Sequence, residues 1–506
     1  MQRRCALSCG ANSRMTKRFS AEALLLDSRM TWVVALLAAI LFVVANLPWQ
    51  LDDYDQAKQA FTSFEMVNQG NWLYQTTPHD RVATKPPLVG WISAALFAVA
   101  RSWELAWRLP SLAAAIAIGF FLFRYSLSAY GIAPAIIAVS SFAFNLLTPR
   151  LATLVRTDMP LAFVIFVIGI QVWNKIRQRE SWRPNDRLLV FVLLTAGMLI
   201  KGPVIWAFLL PGFLAFQFWK GKEGVSTFPG MWPWIASLVI FLIWVAGGIR
   251  FMPGFYDEVV VREFLGRFGG ETHRAQPLFF YLPHLLHKFA PWSLLIIALA
   301  IIQLRRANWD WRHLRISPET GWLICWSAGG IVVMSLLPSK RVDRIFPVIP
   351  PLCLLLGAQI ATAASRWQGR VYRWSVAVLI SALLTSGSYF GWKAVNGYRA
   401  NRGALSTFGT NVLQQARSNG WRYAVVSSPD EGLLLYTHTL GYVRPERAVT
   451  QWNTGELDAL IVSTRIESEI MSQLTPTGTI ALRSAPKQDS ETLDYLLISK
   501  SSERPP

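Results

Sequence analysis

Long apolar blocks separated by short polar segments dominate the chain from about residue 30 to residue 392. The blocks lie near residues 30–47, 107–128, 131–148, 159–174, 187–200, 203–219, 232–249, 277–302, 320–338, 344–364 and 374–392. Since a helix needs about 20 apolar residues to cross a bilayer, the pattern predicts an all-α polytopic membrane bundle of about 11 transmembrane helices. The block Pro86–Ala100 is shorter and starts with two prolines, which favours an interfacial or re-entrant helix.

The composition supports a membrane protein and excludes several other classes. Of the 506 residues, 53% are hydrophobic and 16% are charged, whereas about a quarter of an average soluble domain is charged. The formal net charge of +19 is therefore interpreted as loop charge that orients helices, and no nucleic-acid partner is expected. The four cysteines form neither a C-x-x-C motif nor a disulfide framework.

Lysine and arginine set the expected orientation of the helices. Residues 1–30 are net basic, which predicts a cytoplasmic basic tail ahead of a transmembrane domain over residues 31–392. With 11 spans, every loop that then lies inside is net basic, as orientation by cytoplasmic Lys and Arg requires. The larger loops that lie outside, on the periplasmic face, are 48–106, 149–158, 250–276 and 339–343.

The composition becomes mixed and polar after residue 392. Short apolar runs at residues 422–427, 458–463, 479–482 and 494–499 predict buried strands, with helical stretches such as Leu405–Asn419 between them. We expect a small periplasmic α/β domain over residues 393–506. It contains no Gly-rich phosphate loop, metal-ligand cluster or nucleophile elbow, which predicts a supporting role.

Charged side chains gather in the predicted outer loops, although membrane insertion does not require them there. For scattered charges, solvated loops and snorkelling helix ends are the simpler interpretation. Asp158 and Lys201 adjoin predicted spans, where an unpaired ion costs a few kcal/mol or more, so each needs a partner or a function. Cations that hold an anion, beside carboxylates that take a proton from a hydroxyl, suit chemistry on a lipid-linked phosphate.

Six short motifs in these loops resemble those of the GT-C fold polyprenyl-phosphate-sugar glycosyltransferases, which include the lipid A aminoarabinose transferase and the protein O-mannosyltransferases. In chain order they are Asp55-Gln-Ala-Lys58, Lys85-Pro-Pro, Arg156-Thr-Asp158, Lys201-Gly-Pro, the stretch from His273 to Ser293, and Ser339-Lys340-Arg341 with Phe346-Pro-Val-Ile-Pro350. Each motif alone is weak. Together, in one order on one topology, they are specific to this family.

The resemblance implies roles for individual residues. Asp55 would be the catalytic base or the group that orients the acceptor, and Asp158 a second, supporting carboxylate. The residues implied to bind the donor phosphate are Lys85, Arg267, Lys340 and Arg341. The residues implied to support the site are Lys58, Arg156, Lys201 and His273.

The sequence departs from the family pattern at three positions. Gln56 follows Asp55 where a Glu is expected. Arg344 stands where a Tyr is frequent, and this difference indicates a different sugar or acceptor. Thr84 replaces a Glu that could share a metal with the loop histidine. His273, Asp55 and Asp158 remain candidate ligands for a divalent metal, whereas zinc, which takes three or four protein ligands, is disfavoured. The cofactor therefore stays unknown.

The function implied by the resemblance is that of an integral glycosyltransferase of the bacterial inner membrane. It would move a monosaccharide from a polyprenyl (undecaprenyl) phosphate donor to a lipid, glycan or protein acceptor on the periplasmic face, with inversion. Lipid A modification is one such cell-envelope reaction, and membrane lipids are the surrounding partner.

Two other classes of function fit parts of the pattern. A transporter or flippase of a polyprenyl-phosphate-linked sugar, or of another anionic lipid, would also carry basic residues near membrane depth. It predicts ionisable residues within spans and helices broken at mid-bilayer, whereas here the charges lie in loops and at span ends. A receptor would explain the C-terminal domain but not the charged first loop.

Overall fold

The computed structural model describes residues 21–51, 53–220, 228–266, 275–310, 314, 316–486 and 494–500, apart from the side chains of 21–23 and 220. Most of this part of the chain is helical. In chain order the helices are α1 (Ala21–Leu26), α2 (Arg29–Val44), α3 (Tyr54–Gln69), α4 (Leu88–Ala100), α5 (Trp103–Tyr130), α6 (Ile132–Ala143), α7 (Thr148–Ala152), α8 (Asp158–Gln178), α9 (Pro184–Lys201), α10 (Val204–Lys220), α11 (Trp232–Phe251), the π-helix α12 (Tyr256–Leu265), α13 (Tyr281–Lys288), α14 (Trp292–Arg306), α15 (Pro318–Leu336), α16 (Ile349–Arg399), α17 (Ala404–Asn419), α18 (Gly432–Tyr436), α19 (Pro445–Asn453) and α20 (Glu467–Met471). Short 3-10 helices cover Val342–Val348 and Thr464–Ile466.

Among the described residues, five helical segments are long and apolar enough to cross a membrane, namely α5, α8, α11, α15 and Val342–Arg399. The pair α13 and α14 is a sixth candidate, bent by 104° at its break. Shorter apolar helices are α2, α4, α6 and Val204–Trp219 within α10. The predicted helical membrane fold is confirmed, although the segments that meet the length criterion are fewer than the predicted 11.

Three of the predicted spans have a different form in the structure. The block 277–302 is broken between α13 and α14, where Pro291 precedes the first residue of α14. The blocks 344–364 and 374–392 belong to the single element α16, which leaves helical geometry at Trp367 with φ −142° and ψ 43°. That break lies in the basic segment that the sequence predicts as a turn between two spans.

The helices of the membrane bundle approach one another closely at small residues. A Cβ atom on Gly329 of α15 would lie 2.7 Å from the backbone nitrogen of Gly212 on α10, so only glycine permits this crossing. On the same helix, the buried Trp322 donates a hydrogen bond from Nε1 to the carbonyl oxygen of Gly169 on α8, at 3.0 Å. Close backbone approach and a buried indole therefore fix α8, α10 and α15 together.

The C-terminal part of the chain contains a five-stranded sheet in the order β2-β1-β3-β5-β4. Its strands are β1 (Tyr423–Val426), β2 (Tyr442–Val443), β3 (Ala459–Ser463), β4 (Gly478–Arg483) and β5 (Tyr495–Lys500). Strand β1 pairs in parallel with β2 and β3, whereas β5 pairs antiparallel with β3 and β4. The four predicted strands and the helix α17 are confirmed, and β2 was missed because two residues carry no readable pattern.

The sheet region contacts the membrane bundle through α18, which packs against α3. The hydroxyl of Tyr436 accepts a hydrogen bond from the backbone N–H of Leu51 at 2.9 Å and donates one to Glu104 Oε1 at 2.9 Å. Leu51 lies just before α3 and Glu104 lies in the first turn of α5. The C-terminal region is thus anchored beside the start of α3.

Candidate active site

A charged cavity of about 250 Å³ lies where the predicted outer loops meet. Its described lining contains the cations Lys58, Arg81, Lys85, Arg156, Lys201, Arg262, Arg341 and Arg344 and the carboxylates Asp55, Asp158, Glu258, Glu263 and Asp343. Tyr54, Gln59, Val82, Thr84 and Thr157 complete the lining. The eight cations outnumber the five carboxylates, so the cavity favours an anionic ligand. The four predicted outer loops and the Lys201-Gly-Pro turn all contribute to it.

Asp55 stands in the first turn of α3, facing two arginines from distant loops. The side chain of Asp53 caps this helix by accepting the backbone N–H of Asp55 at 3.0 Å. Asp55 Oδ2 accepts a hydrogen bond from Arg341 Nη1 at 2.5 Å and lies 3.6 Å from Arg156 Nη2. Burial raises the pKa of Asp55, but Arg341 and then Arg156 and Lys85 outweigh it and hold the pKa below its ordinary value. The carboxylate is therefore ionised at neutral pH.

Arg156 connects the first, second and last of these loops. It is 8% exposed, donates from Nη1 to Asp343 Oδ2 at 2.9 Å and from Nη2 to Asp53 Oδ2 at 2.5 Å. The preceding residue is held by Gln56, whose Oε1 accepts the backbone N–H of Val155 at 3.2 Å. Gln56, one of the departures from the family pattern, thus fixes the second loop against α3.

Asp158 and Lys201 form an ion pair between the first residue of α8 and the last residue of α9. Each side chain is about 10% exposed, so both charges are nearly removed from water. The pairing supplies the partner that a charge at the end of a span requires. It also places the second predicted carboxylate in the same cavity as Asp55.

Lys85 reaches the cavity from the end of the first loop and forms an ion pair with Glu263 of the π-helix α12. Glu258, Arg262 and Glu263 of this helix all line the cavity, and Arg262 pairs with Glu258 at 3.0 Å. Hydrogen bonds between residues five apart widen a π-helix, which brings side chains at positions 258 and 263 to one face. The sequence showed these charges but not that local geometry.

Lys58 lies one turn after Asp55 on α3. In the described part of the chain its ammonium has no hydrogen bond or ion pair, and it lies 5.7 Å from the centroid of the Tyr54 ring. Burial lowers the pKa of Lys58, while Glu263 and Asp55 partly oppose that shift. An ammonium in this state gains a partner when an anion enters the cavity.

Three of the predicted phosphate-binding or supporting residues are not in the described lining. Lys340 is 8% exposed and donates from Nζ to the carbonyl oxygen of Gln276 at 3.0 Å, and burial lowers its pKa. Arg267 and His273 lie outside the described residues. In the same motif as Lys340, Arg344 does line the cavity, and it donates from Nη1 to the carbonyl oxygen of Ser339 at 2.9 Å.

The residues considered for a metal do not form a metal site within the described ranges. No three His, Cys, Asp or Glu side chains come together there as potential ligands. Asp55 is engaged by Arg341 and Asp158 by Lys201, and Thr84 is buried beside Lys85 with a hydroxyl in place of a carboxylate. Within the described ranges, the arrangement suits binding of an anion by cations.

Comparisons with known proteins show what this chain is similar to. A family model described as dolichyl-phosphate-mannose-protein mannosyltransferase matches residues 84–248. The undecaprenyl phosphate-alpha-4-amino-4-deoxy-L-arabinose arabinosyl transferase of Shewanella sediminis is 24% identical over 342 residues, which cover 65% of this chain and 60% of that protein. A transferase of the same name from Sodalis glossinidius is 24% identical over 447 residues, covering 82% and 76%.

The solved structures provide a match over nearly the whole chain. ArnT from Cupriavidus metallidurans, in a crystal structure bound to undecaprenyl phosphate, superposes with a TM-score of 0.69 at 16% identity. The superposition covers 93% of this chain and 98% of that one. The apo structure of the same protein gives a TM-score of 0.61. The overall architecture, including the C-terminal sheet region, is therefore shared.

Proposed function

We propose that this chain, which has the GT-C fold and is related to the polyprenyl-phosphate-sugar glycosyltransferases, is itself such a transferase. It would move a monosaccharide from a polyprenyl phosphate to an acceptor. The observation that carries the proposal is the cavity in which an ionised Asp55 faces an excess of cations supplied by four loops and the Lys201 turn. The chain spans about 60% of the length of the first curated relative, so the activity is inferred from the site as well as from likeness.

The donor phosphate would bind at Lys58 and Lys85. Lys58 offers an ammonium with no carboxylate partner in the described structure, and Lys85 would exchange the carboxylate of Glu263 for the phosphate. Phosphate oxygens form strong charge-assisted hydrogen bonds with such cations. Arg341 and Arg344 line the same cavity, and their positive charge would stabilise the phosphate as it leaves.

Asp55 would orient the acceptor and accept its proton. The acceptor oxygen then attacks the anomeric carbon, the bond from that carbon to the phosphate oxygen breaks, and the configuration inverts. The polyprenyl phosphate leaves with the electron pair, and the cations of the cavity stabilise its charge. Arg156 and Asp158 would hold the second loop and its carboxylate beside this position.

The donor and acceptor are proposed by chemical class. The names of the relatives support an undecaprenyl phosphate donor, and a lipid, a glycan or a protein can supply the acceptor. Arg344 adds a cation to the wall of the cavity, which favours an acceptor or sugar with an acidic or strongly polar group. Lipid A is one acceptor with this property.

The membrane arrangement is proposed from the helices together with loop charge. Counting α16 as two spans divided at Trp367, and α13 with α14 as one, gives 11 crossings with α2, α5, α6, α8, α9, α10, α11 and α15. Residues 1–30 would then be cytoplasmic, residues 31–392 the transmembrane domain, and residues 393–506 a periplasmic domain. This arrangement places the cavity on the periplasmic face of the bacterial inner membrane.

Replacement of Asp55 by Asn tests the proposed function directly. A positioned base contributes roughly 10²–10⁴-fold in rate, so Asp55→Asn should lose nearly all transfer from an undecaprenyl-phosphate monosaccharide. Transfer is measured in detergent with envelope lipids as acceptor, where no sealed compartment exists and translocation cannot contribute. Asp257→Asn is the matched control, because Asp257 is an exposed carboxylate on α12 that does not line the cavity. Full activity of Asp55→Asn would refute the assignment.

A further inference from the structure

Glu431, at the start of α18 in the C-terminal region, is a buried carboxylate that the proposed mechanism does not use. Its exposed fraction is 3%, and neither side-chain oxygen has a hydrogen-bond partner in the described structure. It does not cap α18, since its backbone is already helical and its side chain makes no capping bond. A buried carboxylate without hydrogen bonds costs free energy, so its position calls for a reason other than stability.

The group that Glu431 does approach is a histidine of the first outer loop. Oε1 of Glu431 lies 3.4 Å from Nε2 of His79. The imidazole is stacked on Tyr442, with ring centroids 5.3 Å apart and an interplanar angle of 23°. Tyr442 also belongs to the C-terminal region, which therefore holds this imidazole both at its edge and on its face.

His79 lies at the tip of a short hairpin that leads into the cavity. Thr76 and Val82 form an antiparallel bridge, and the backbone N–H of Thr77 donates to the carbonyl oxygen of Arg81 at 2.6 Å. The residues that follow the tip, Arg81, Val82, Thr84 and Lys85, all line the cavity. A shift of the hairpin would therefore move two of the cations available to a phosphate.

The rest of the contact keeps the C-terminal region close to α3. A Cβ atom on Gly432 would lie 2.5 Å from the carbonyl oxygen of Leu51, so only glycine allows α18 to approach this closely. The charged and titratable groups that act on Glu431 are Lys58 and Asp55 of α3, Tyr54 before them, Arg81 and His79 of the hairpin, and Tyr442 of β2. Four of these six groups line the cavity, namely Tyr54, Asp55, Lys58 and Arg81.

The protonation states of Glu431 and His79 near neutral pH allow one side chain to donate a hydrogen bond to the other. Burial, opposed by Lys58 and reinforced by Asp55, raises the pKa of Glu431 to about 7. Burial and the charge of Arg81 lower the pKa of His79. A protonated Glu431 can therefore donate to a neutral imidazole at or below neutral pH.

We propose that Glu431 is a positioning residue of the active site, through which the C-terminal region holds the His79 hairpin and so places Arg81 and Lys85 at the donor phosphate. The inference rests on the proposed function, because it takes the cavity to be the donor site. It assigns the C-terminal region a direct part in donor binding. The contact acts through the hairpin, and Glu431 itself need not touch the donor.

The test compares variants that keep and remove the contact. Glu431→Ala should raise the apparent KM for the donor about tenfold, the loss typical of one polar contact between side chains, with kcat within about threefold of wild type. Glu431→Gln should stay near wild type at pH 7, because an amide can donate to the imidazole nitrogen as the protonated acid does. His79→Ala should raise the donor KM as Glu431→Ala does. The donor KM of the double variant should be no higher than that of the more impaired single variant.

The controls separate positioning from folding and from failure of the proposed function. Glu446→Ala alters an exposed carboxylate on α19 and should leave KM unchanged. Binding of undecaprenyl phosphate, measured without turnover, should weaken about tenfold in Glu431→Ala while the thermal midpoint does not fall. An unchanged donor KM in Glu431→Ala, equal loss in Glu431→Gln, or additive losses in the double variant would overturn the proposal. A wild-type protein that binds the lipid phosphate but transfers no sugar would instead overturn the proposed function.

Discussion

At the scale of single residues, the ionisation of Asp55 depends on arginines that are far away along the chain. Arg341 is 286 positions from Asp55, yet its Nη1 donates to Asp55 Oδ2 at 2.5 Å. Burial alone would raise the pKa of this carboxyl group, and the guanidinium reverses the direction. Burial lowers the pKa of Arg341, but the pair with Asp55 outweighs it and raises that pKa, so the arginine is charged at neutral pH.

Replacing Arg341 by Gln should move the acid limb of the pH–rate profile. Because Arg341 holds the pKa of Asp55 below its ordinary value, its loss raises that pKa, and Asp55 becomes protonated at a higher pH. The acid limb of kcat/KM, which reports ionisations of the free enzyme, should therefore shift to higher pH. Arg483→Gln, which alters an exposed arginine of the C-terminal sheet, should leave the profile unchanged. An acid limb that does not move in Arg341→Gln would show that Asp55 does not control it.

The neighbouring residues of one motif show what cannot be read at this scale from the sequence. Lys340, Arg341 and Arg344 look equivalent as cations of one loop. In the structure Arg341 and Arg344 line the cavity, whereas Lys340 turns to the carbonyl oxygen of Gln276. Arg344 lies within the 3-10 helix Val342–Val348, Arg341 directly precedes it, and Lys340 contacts a neighbouring loop. None of these features leaves a pattern in the motif.

At the scale of elements, helix packing in the bundle depends on where glycine allows an aromatic ring to approach. On α8, a Cβ atom added to Gly169 would lie 2.1 Å from Cη2 of Trp326 on α15, well inside contact distance. On α5, a Cβ atom added to Gly119 would have no heavy atom within 4 Å. The two glycines thus differ in environment although both lie inside apolar helices.

Gly169→Ala should destabilise the bundle, and Gly119→Ala should not. The extra methyl group in Gly169→Ala forces the buried Trp326 ring to move, and overpacking of this kind costs about 1–3 kcal/mol. In Gly119→Ala the better helix propensity of alanine should leave stability equal or raise it by up to about 1 kcal/mol. Thermal unfolding of both variants in the same detergent measures the difference. Equal midpoints would mean that the contact between α8 and α15 is looser than described.

At the scale of the whole molecule, the loop charges and the helices together support one orientation in the membrane. The loops that build the cavity all lie at one end of the bundle, and the C-terminal region docks at that same end through Tyr436 and α18. The basic segment around Trp367 lies at the break of α16, which the 11-span arrangement assigns to the cytoplasm. Labelling residues from one side of the membrane can therefore test whether the cavity faces the periplasm.

The substituted cysteines of Asp257→Cys and Arg370→Cys should be labelled from opposite sides of the membrane. Both positions are exposed in the structure, one on the π-helix beside the cavity and the other in the basic segment of α16. In a background with Cys5 and Cys9 replaced by Ser, a membrane-impermeant maleimide should label Asp257→Cys in spheroplasts that keep an intact inner membrane. It should label Arg370→Cys only after permeabilisation. Labelling of both in intact spheroplasts would refute the 11-span arrangement.

The sequence by itself determined the helical membrane class, the strands of the C-terminal region and the loops that hold the charged motifs. These properties depend on the length of apolar runs and on local alternation, which act between residues close together in the chain. Only the tertiary structure decided which cations have carboxylate partners, that Lys340 turns away, and that Glu431 meets His79. Those outcomes depend on contacts between groups hundreds of residues apart, where distance and burial, rather than residue type, set the energy of a charge.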